Sequence, residues 1–189
     1  MYKLKIISST VRPGRKGPVV AKWITEVAKQ HGFEVELLDL GEINLPLMNE
    51  AVHPVMRQYE HEHTKQWSAK IDEADAFIFV TAEYDYSYPA SLKNALEYLV
   101  HEWAYKPAGI VSYSAGAFAG VRAVMSLKSD LLSLKTIALH EMVNIQALQQ
   151  FVNEDGEFVA DERLNASASV MLKQLTRWTK GLKSIKEDI

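Results

Sequence analysis

Two kinds of hydrophobic spacing alternate along the chain. Residues Lys3 to Ser8 form a short apolar run closed by Ser8-Ser9-Thr10, the pattern of a buried strand. From Gly17 the spacing turns helical, with Val19, Val20, Trp23, Ile24, Val27 and Ala28 on one face and Gly32 as the stop. Phe33 to Leu40 alternates as a second strand. Residues 41 to 57, with Pro46 and Pro54, hold no period and predict a long loop, a feature often functional inside compact domains. A weaker helix follows, with Tyr59, Trp67, Ile71 and Ala74 inward. Ala76-Phe77-Ile78-Phe79-Val80-Thr81 is the clearest buried strand. Pro89 suits the first turn of a helix whose apolar stripe is Leu92, Ala95, Leu96, Leu99, Val100 and Trp103. Pro107 opens a strand from Ala108 to Tyr113, and the next helix carries Val121, Val124, Met125, Leu131 and Leu132. A last strand lies within residues 136 to 146. Asn153 to Glu157 form a polar turn, and the final helix buries Leu164, Ala168, Met171, Leu175, Trp178 and Leu182.

Strands alternating with helices imply right-handed crossovers and a parallel sheet covered on both faces. About five strands and five helices point to a doubly wound five-stranded parallel sheet. No repeat, low-complexity tract or linker divides the chain, so residues 1–189 are expected to form one domain. Ligands of such sheets sit outside the carboxyl ends of the strands, where the strand order reverses. The loops after strands one, three and four are therefore the ones to read for chemistry.

Composition narrows the classes. The absence of cysteine excludes disulfides, thiolate metal sites and a cysteine nucleophile. A formal charge of -3 argues against nonspecific nucleic-acid binding. No stretch approaches a membrane span. The N-terminal Met1-Tyr2-Lys3-Leu4-Lys5 is basic but lacks the small-residue cleavage site of a secretory signal, so a cytoplasmic location is expected.

The first loop, Ser8 to Pro18, joins a strand directly to a helix N-terminus, where free N–H groups and the helix dipole favour an anion. Ser9 and Thr10 add hydroxyl donors and Arg12 and Arg15 charge-assisted ones, a set suited to a phosphate. A solvated turn with surface arginines is the plain alternative. Neither a Walker A pattern nor a GxGxxG fingerprint is present. Tyr84, Tyr86 and Tyr88 crowd the end of the third strand and would serve as the wall of a flat, partly polar ligand, or as a half-exposed rim at an oligomer interface. Glu83 and Asp85 invite an acid–base reading but have no visible partner. Ser112-Tyr113-Ser114-Ala115-Gly116-Ala117 provides small residues where a backbone can approach an aromatic ring, or else an ordinary cap and turn. His61 and His63, two apart on a helix, would point to different faces and read as solvated rather than as metal ligands.

Taken together, Val11 to Arg15, Glu83 to Leu96, and Glu102-Trp103 with Lys106-Pro107 resemble the NADPH-dependent FMN reductases. That resemblance implies a flavodoxin-like fold, bound FMN, NADPH (or NADH) as electron donor and a small-molecule electron acceptor such as a quinone, azo compound or chromate. It implies that Thr10, Arg12 and Arg15, with Ser9, Gly17 and Pro18 adjacent, hold the FMN phosphate. It implies that Ala82, Glu83, Tyr84 and Asp85 run along the ring and ribityl, and that Ser114 and Gly116, with Tyr113, close over the ring. A homo-oligomer, dimer or tetramer, is also implied, with the helix after the tyrosine loop at the interface. Ala82 stands where proline is usual and Asp85 where asparagine is common. Asp85 therefore lacks an amide donor, and its charge would disfavour reduced anionic flavin. No catalytic side chain is implied, because the exchange from NADPH to acceptor runs through the cofactor. A flavodoxin-like electron carrier, or a flavin-free scaffold, are the rival readings; the carrier is expected to be more acidic than -3.

Overall fold

A computed structural model describes residues 1–187. Its elements are β1 (Tyr2–Ser8), α1 (Gly17–Gln30), β2 (Phe33–Asp39), α2 (Leu40–Ile43), α3 (Glu62–Asp72), β3 (Ala76–Ala82), α4 (Ala90–Glu97), β4 (Pro107–Ser114), α5 (Val121–Ser133), β5 (Ile137–Ala138), β6 (Val143–Gln146) and α6 (Glu162–Glu187). The sheet order is β2-β1-β3-β4-β5, with β6 also on β4, and every pairing between these strands is parallel. This is the flavodoxin-like 2-1-3-4-5 order, whose reversal point lies between β1 and β3. The expected fifth strand arrives in two pieces, both paired with β4.

Helices cover both faces. Val20, Ala21, Ile24 and Ala28 of α1 and Leu164, Ala168, Met171 and Leu175 of α6 fill one core with alternate residues of the strands. The other core takes Trp67 and Ile71 of α3, Leu92, Ala95 and Leu96 of α4, and Ala123, Val124, Leu127 and Leu131 of α5. β3 is buried throughout, as its unbroken apolar run predicts. Gly32 ends the first helical segment at φ 84°, in the left-handed region its stop role requires.

Several expectations need correction. α4 ends at Glu97, and Trp103 belongs to a separate 3₁₀ turn, His101–Trp103. Tyr88 is core, 7% exposed, with its hydroxyl donated to Asp130, so only Tyr84 and Tyr86 are left to line a surface. Trp178 is 46% exposed although its spacing places it inward. His61 precedes α3 rather than sitting on it, and its ring stacks on His63 with centroids 5.1 Å apart. Both imidazoles are bound to Asn49, which makes them loop anchors. The long loop is also pinned by Asn94, which donates to Pro46 O and accepts from Met48 N. Fully buried Glu102 pins its far end, accepting from Tyr59, Ser68 and Arg57.

Candidate functional site

Register brings three loops together. Ser8 is level with Val80, and Ala82 with Tyr113, so the ends of β1, β3 and β4 form one rim. Above that rim lies a cavity of about 440 Å³ walled by residues 12–16, by Ala82, Glu83 and Tyr84, and by Tyr113, Ser114 and Ala115. The size is that of a small-molecule site. A larger groove of about 980 Å³ runs along α1 and residues 155–160, away from the strand ends, and is lined by a mixed, unconverging set of side chains. Position relative to the sheet favours the smaller cavity.

The floor is polar and tightly packed. Ser8, Ser9 and Thr10 are all buried. Thr10 Oγ1 lies 3.3 Å from the Tyr113 hydroxyl, whereas the Ser8 and Ser9 hydroxyls have no partner. Burial pushes the Tyr113 hydroxyl up to about 12, so it stays protonated at neutral pH and is able to donate. α1 starts over this floor with no side-chain cap, no acidic residue in its first turn, and Pro18 at its start. Its first N–H groups are thus open to an external anion. Gly17 lets the helix come that close, because a Cβ there would lie 2.4 Å from Thr10 Oγ1.

The two arginines of the first loop part company. Arg12 is exposed on the rim of the cavity, beside Lys16. Arg15 turns inward, donating to the Thr10 carbonyl at 2.9 Å and pairing with Asp39 at the end of β2. Asp39 in turn accepts from Gly41 N at 2.9 Å, capping α2.

After β3 the chain turns sharply. Tyr84 and Ser87 exchange backbone hydrogen bonds of 2.8 and 2.9 Å, with Asp85 and Tyr86 between them at φ 49° and 66°. Asp85 is thereby placed at a turn tip. The Glu83 carboxylate is engaged by Arg122 of α5, which leaves it unavailable as a free base. Across the cavity Ser114 Oγ donates to Gly116 O at 3.1 Å, and a Cβ at Gly116 would meet nothing closer than 3.9 Å.

A family model described as NADPH-dependent FMN reductase matches residues 2–150. The chain belongs to the NADPH-dependent FMN reductase family. An NAD(P)H-dependent FMN reductase of Schizosaccharomyces pombe is 45% identical over 114 residues, 59% of this chain and 57% of that relative. An NADPH azoreductase of a Bacillus species is 28% identical over 188 residues, 99% of this chain and 96% of that one. The structure of FerB, a flavoenzyme NAD(P)H:(acceptor) oxidoreductase from Paracoccus denitrificans, superposes with a TM-score of 0.75 at 23% identity, covering 97% of this chain and 98% of that one. That last likeness carries the fold. By family the chain is an oxidoreductase that depends on FMN and NAD(P)H.

Other residues of this reductase meet the cavity without a signal in the loop motifs. Leu148 and Gln149 reach its edge from the turn after β6, a position that the strand-end rule flags once the last strand is placed. Ser91 of α4 donates to Ser9 O and ties the floor to the opposite layer. Arg122 and Phe118 pack behind the lining residues, Arg122 against Glu83, and sit where the pattern reads only as a helix start.

Proposed function

We propose that the cavity at the strand ends binds FMN and that the reductase passes reducing equivalents from NADPH, or NADH, to small oxidised acceptors of the azo and quinone kind. The observation that carries the assignment is the pair of buried, unpartnered hydroxyls of Ser8 and Ser9 at the end of β1, with Ser8 Oγ packed against Gly17 at an uncapped helix N-terminus. Buried polar groups nearly always have partners, and a phosphate supplies the acceptor oxygens that these donors lack. The residues present therefore fit the cofactor.

Ser9, Thr10 and Arg12, with the first N–H groups after Gly17 and Pro18, would hold the phosphate. Arg15 serves that loop from behind, holding the Thr10 carbonyl and Asp39 rather than reaching outward. Ala82, Glu83 and Tyr84 would flank the ring on one side, with Asp85 at the tip, and Tyr113, Ser114 and Gly116 on the other. Bound FMN supplies the hydride exchange between nicotinamide and acceptor, and the protein supplies placement and electrostatics. The protonated Tyr113 hydroxyl offers a donor at the floor, and the paired Glu83 keeps an uncompensated negative charge away from that wall.

The same reading makes residues 1–189 one FMN-binding domain, working in the cytoplasm, where its soluble nucleotide donor is found. No helix among the described residues is long and apolar enough to cross a membrane. It also makes the protein a homo-oligomer of two or four copies, supported by an apolar stripe on α5 in which Val121, Met125 and Leu132 are 40%, 62% and 75% exposed.

The test is to load the purified protein with FMN, add NADPH without oxygen and record the visible spectrum. Bleaching of the flavin band, restored by a quinone or an azo dye, is the expected result. A bound flavin that does not bleach would favour an electron carrier, and a protein that retains no flavin would refute the site.

A further inference from the structure

Arg122 holds a place that the flavin assignment does not use. It stands in the first turn of α5, and its backbone N–H and Nη1 donate to the two carboxylate oxygens of Glu83 at 3.2 and 3.1 Å. Glu83 belongs to the loop after β3, the opposite wall of the cavity, and its side chain is only 13% exposed. The guanidinium also lies between two rings, 4.1 Å from the centroid of Tyr86 and 4.3 Å from that of Phe118. Tyr86 is at the tip of the loop after β3 and Phe118 is on the loop after β4. One side chain thus touches both loops, through a single ion pair of Nη1 with Glu83 and two cation–π contacts.

Each tip is otherwise held within its own loop, by the Tyr84–Ser87 backbone pair after β3 and by Ser114 Oγ on Gly116 O and Val121 N on Phe118 O after β4. Asp85 and Tyr86 are both left-handed, a backbone that non-glycine residues hold only when their surroundings impose it. Tyr86 and Phe118 are 69% and 60% exposed, so core burial does not fix them. The loop after β4 has its own anchor one step lower, where Ser112 Oγ donates to Ala119 O at 2.7 Å and accepts from Asn144. Arg122 carries that anchorage across to the tip of the tyrosine loop.

We propose that Arg122 is a positioning residue, tying Glu83 and Tyr86 to Phe118 so that the slot between the walls is set to the width of a flat ring before the ring arrives. The inference rests on the cavity being the flavin site. If the tie is lost, the binding-competent arrangement becomes one of several, and apparent affinity falls by the competent fraction. Lysine cannot replace it, since a point charge lacks the planar fork that both pairs and stacks.

The experiment compares wild type, Arg122→Ala, Arg122→Lys and Glu83→Gln by FMN titration, thermal unfolding of the flavin-free protein and limited chymotrypsin digestion without flavin. The expected result is an FMN Kd raised about tenfold or more in Arg122→Ala, with little recovery in Arg122→Lys. Unfolding of the flavin-free variants stays within a few degrees of wild type, and new cleavage appears after Tyr86 or Phe118. An Arg122→Ala protein that binds FMN within about twofold of wild type overturns the proposal. So does a loss of affinity that accompanies a general loss of Tm without new cleavage in the two loops. Should Arg122→Ala fail to fold, Glu83→Gln decides, and unchanged FMN affinity with unchanged cleavage in that variant overturns the proposal. A wild-type protein that binds no FMN sinks the flavin assignment, and the cleavage pattern still decides separately whether Arg122 ties the walls.

Discussion

Gly17 shows how much of the site depends on a missing side chain. A Cβ there would stand 2.4 Å from Thr10 Oγ1, 2.9 Å from the Tyr113 hydroxyl and 3.2 Å from Ser8 Oγ. Gly17→Ala must therefore displace the floor hydroxyls or lift α1 away from them. The expected cost is about 1–3 kcal/mol, typical of overpacking. At roughly 2–4 °C per kcal/mol, thermal unfolding will register it as a fall of several degrees. FMN retention is expected to fall with it, and an unchanged Tm would mean that the loop yields freely. The arginines of the same loop separate by packing in a way their sequence does not reveal. Arg12 is exposed on the rim, so Arg12→Ala is expected to leave flavin-free Tm unchanged and weaken FMN about 10- to 100-fold, the worth of one charge-assisted hydrogen bond. Arg15→Ala strips a partner from Asp39, which is only 8% exposed, and is expected to cost about 1–3 kcal/mol of stability before any flavin is added. Calorimetry and flavin titration on the two single variants check the division. Equal effects on both readouts would contradict it.

Elements set by one dominant pattern were legible, and those shaped by contacts from distant segments were not. β3 is a short apolar run buried along its whole length, and Gly32 closes α1 where its φ of 84° favours glycine. The helical period, by contrast, runs on through Leu99 and Trp103, yet α4 stops at Glu97. There the long loop intervenes: Tyr98 donates to Pro46 O at 3.0 Å, and the His101 ring lies 2.9 Å from Val55 O. Trp178 fails because the buried stripe of α6 continues one position over, through Leu175, Thr179 and Leu182, which are all buried while Trp178 is left 46% exposed. Of the candidate site, the meeting of three strand-end loops at one rim follows from the parallel order, whereas the inward turn of Arg15 and the pairing of Glu83 with Arg122 depend on partners 24 and 39 positions away. The same long range governs the charge cluster joining β1, β2 and the residue after α3. Lys5, buried, pairs with Glu36 and Glu73, and Glu36 also pairs with Lys70. Desolvation alone would lower the Lys5 value, but hydrogen bonds and charge from both glutamates outweigh it and raise it above 10.5. Glu73 is lowered from 4.5, chiefly by its hydrogen bond from Lys5. Desolvation of Glu36 acts upward and is outweighed by Lys5 and Lys70, so it too is lowered from 4.5. Depressed carboxylates contribute stability that is present above 4.5 and lost as pH falls through their folded values, while the raised lysine contributes stability present below 10.5 and lost above it. Lys5→Met is therefore expected to unfold within about 1 kcal/mol of wild type at pH 7, because the glutamates remain partly hydrated. Its stability should decline less than that of wild type on acidification below pH 4.5. Parallel acid-unfolding curves for the two proteins would remove the cluster from the account.

At the scale of the whole molecule, one uncovered apolar stripe runs along α5, the helix whose first turn pairs with the cavity residue Glu83. Val121, Met125 and Leu132 fall at positions i, i+4 and i+11 of α5, which the 3.6-residue period places on one face. The same helix buries Ala123, Val124, Leu127 and Leu131 against the sheet, so its outward stripe is a second, separate apolar face. Scattered surface hydrophobes need no explanation, but a stripe along one helix marks a surface that meets something. Because Arg122 starts this helix and pairs with Glu83, a partner seated on the stripe would bear on an element that carries one cavity wall. A second copy of the chain meets the stripe with the same stripe, and in a twofold arrangement each substitution counts twice. Met125→Glu with Leu132→Glu thus removes four apolar side chains from a dimer and places four carboxylates against one another. Even at about 1 kcal/mol per partly buried side chain, below the 1.5–3 of full burial, the loss is on the order of a thousandfold in dimer Kd. Sedimentation velocity at a fixed protein concentration is expected to show a dimer or tetramer for wild type and a monomer for the double variant, with far-ultraviolet circular dichroism unchanged. Wild type sedimenting as a monomer would sink the proposal. A double variant that remains an oligomer would move the interface off α5 to another face.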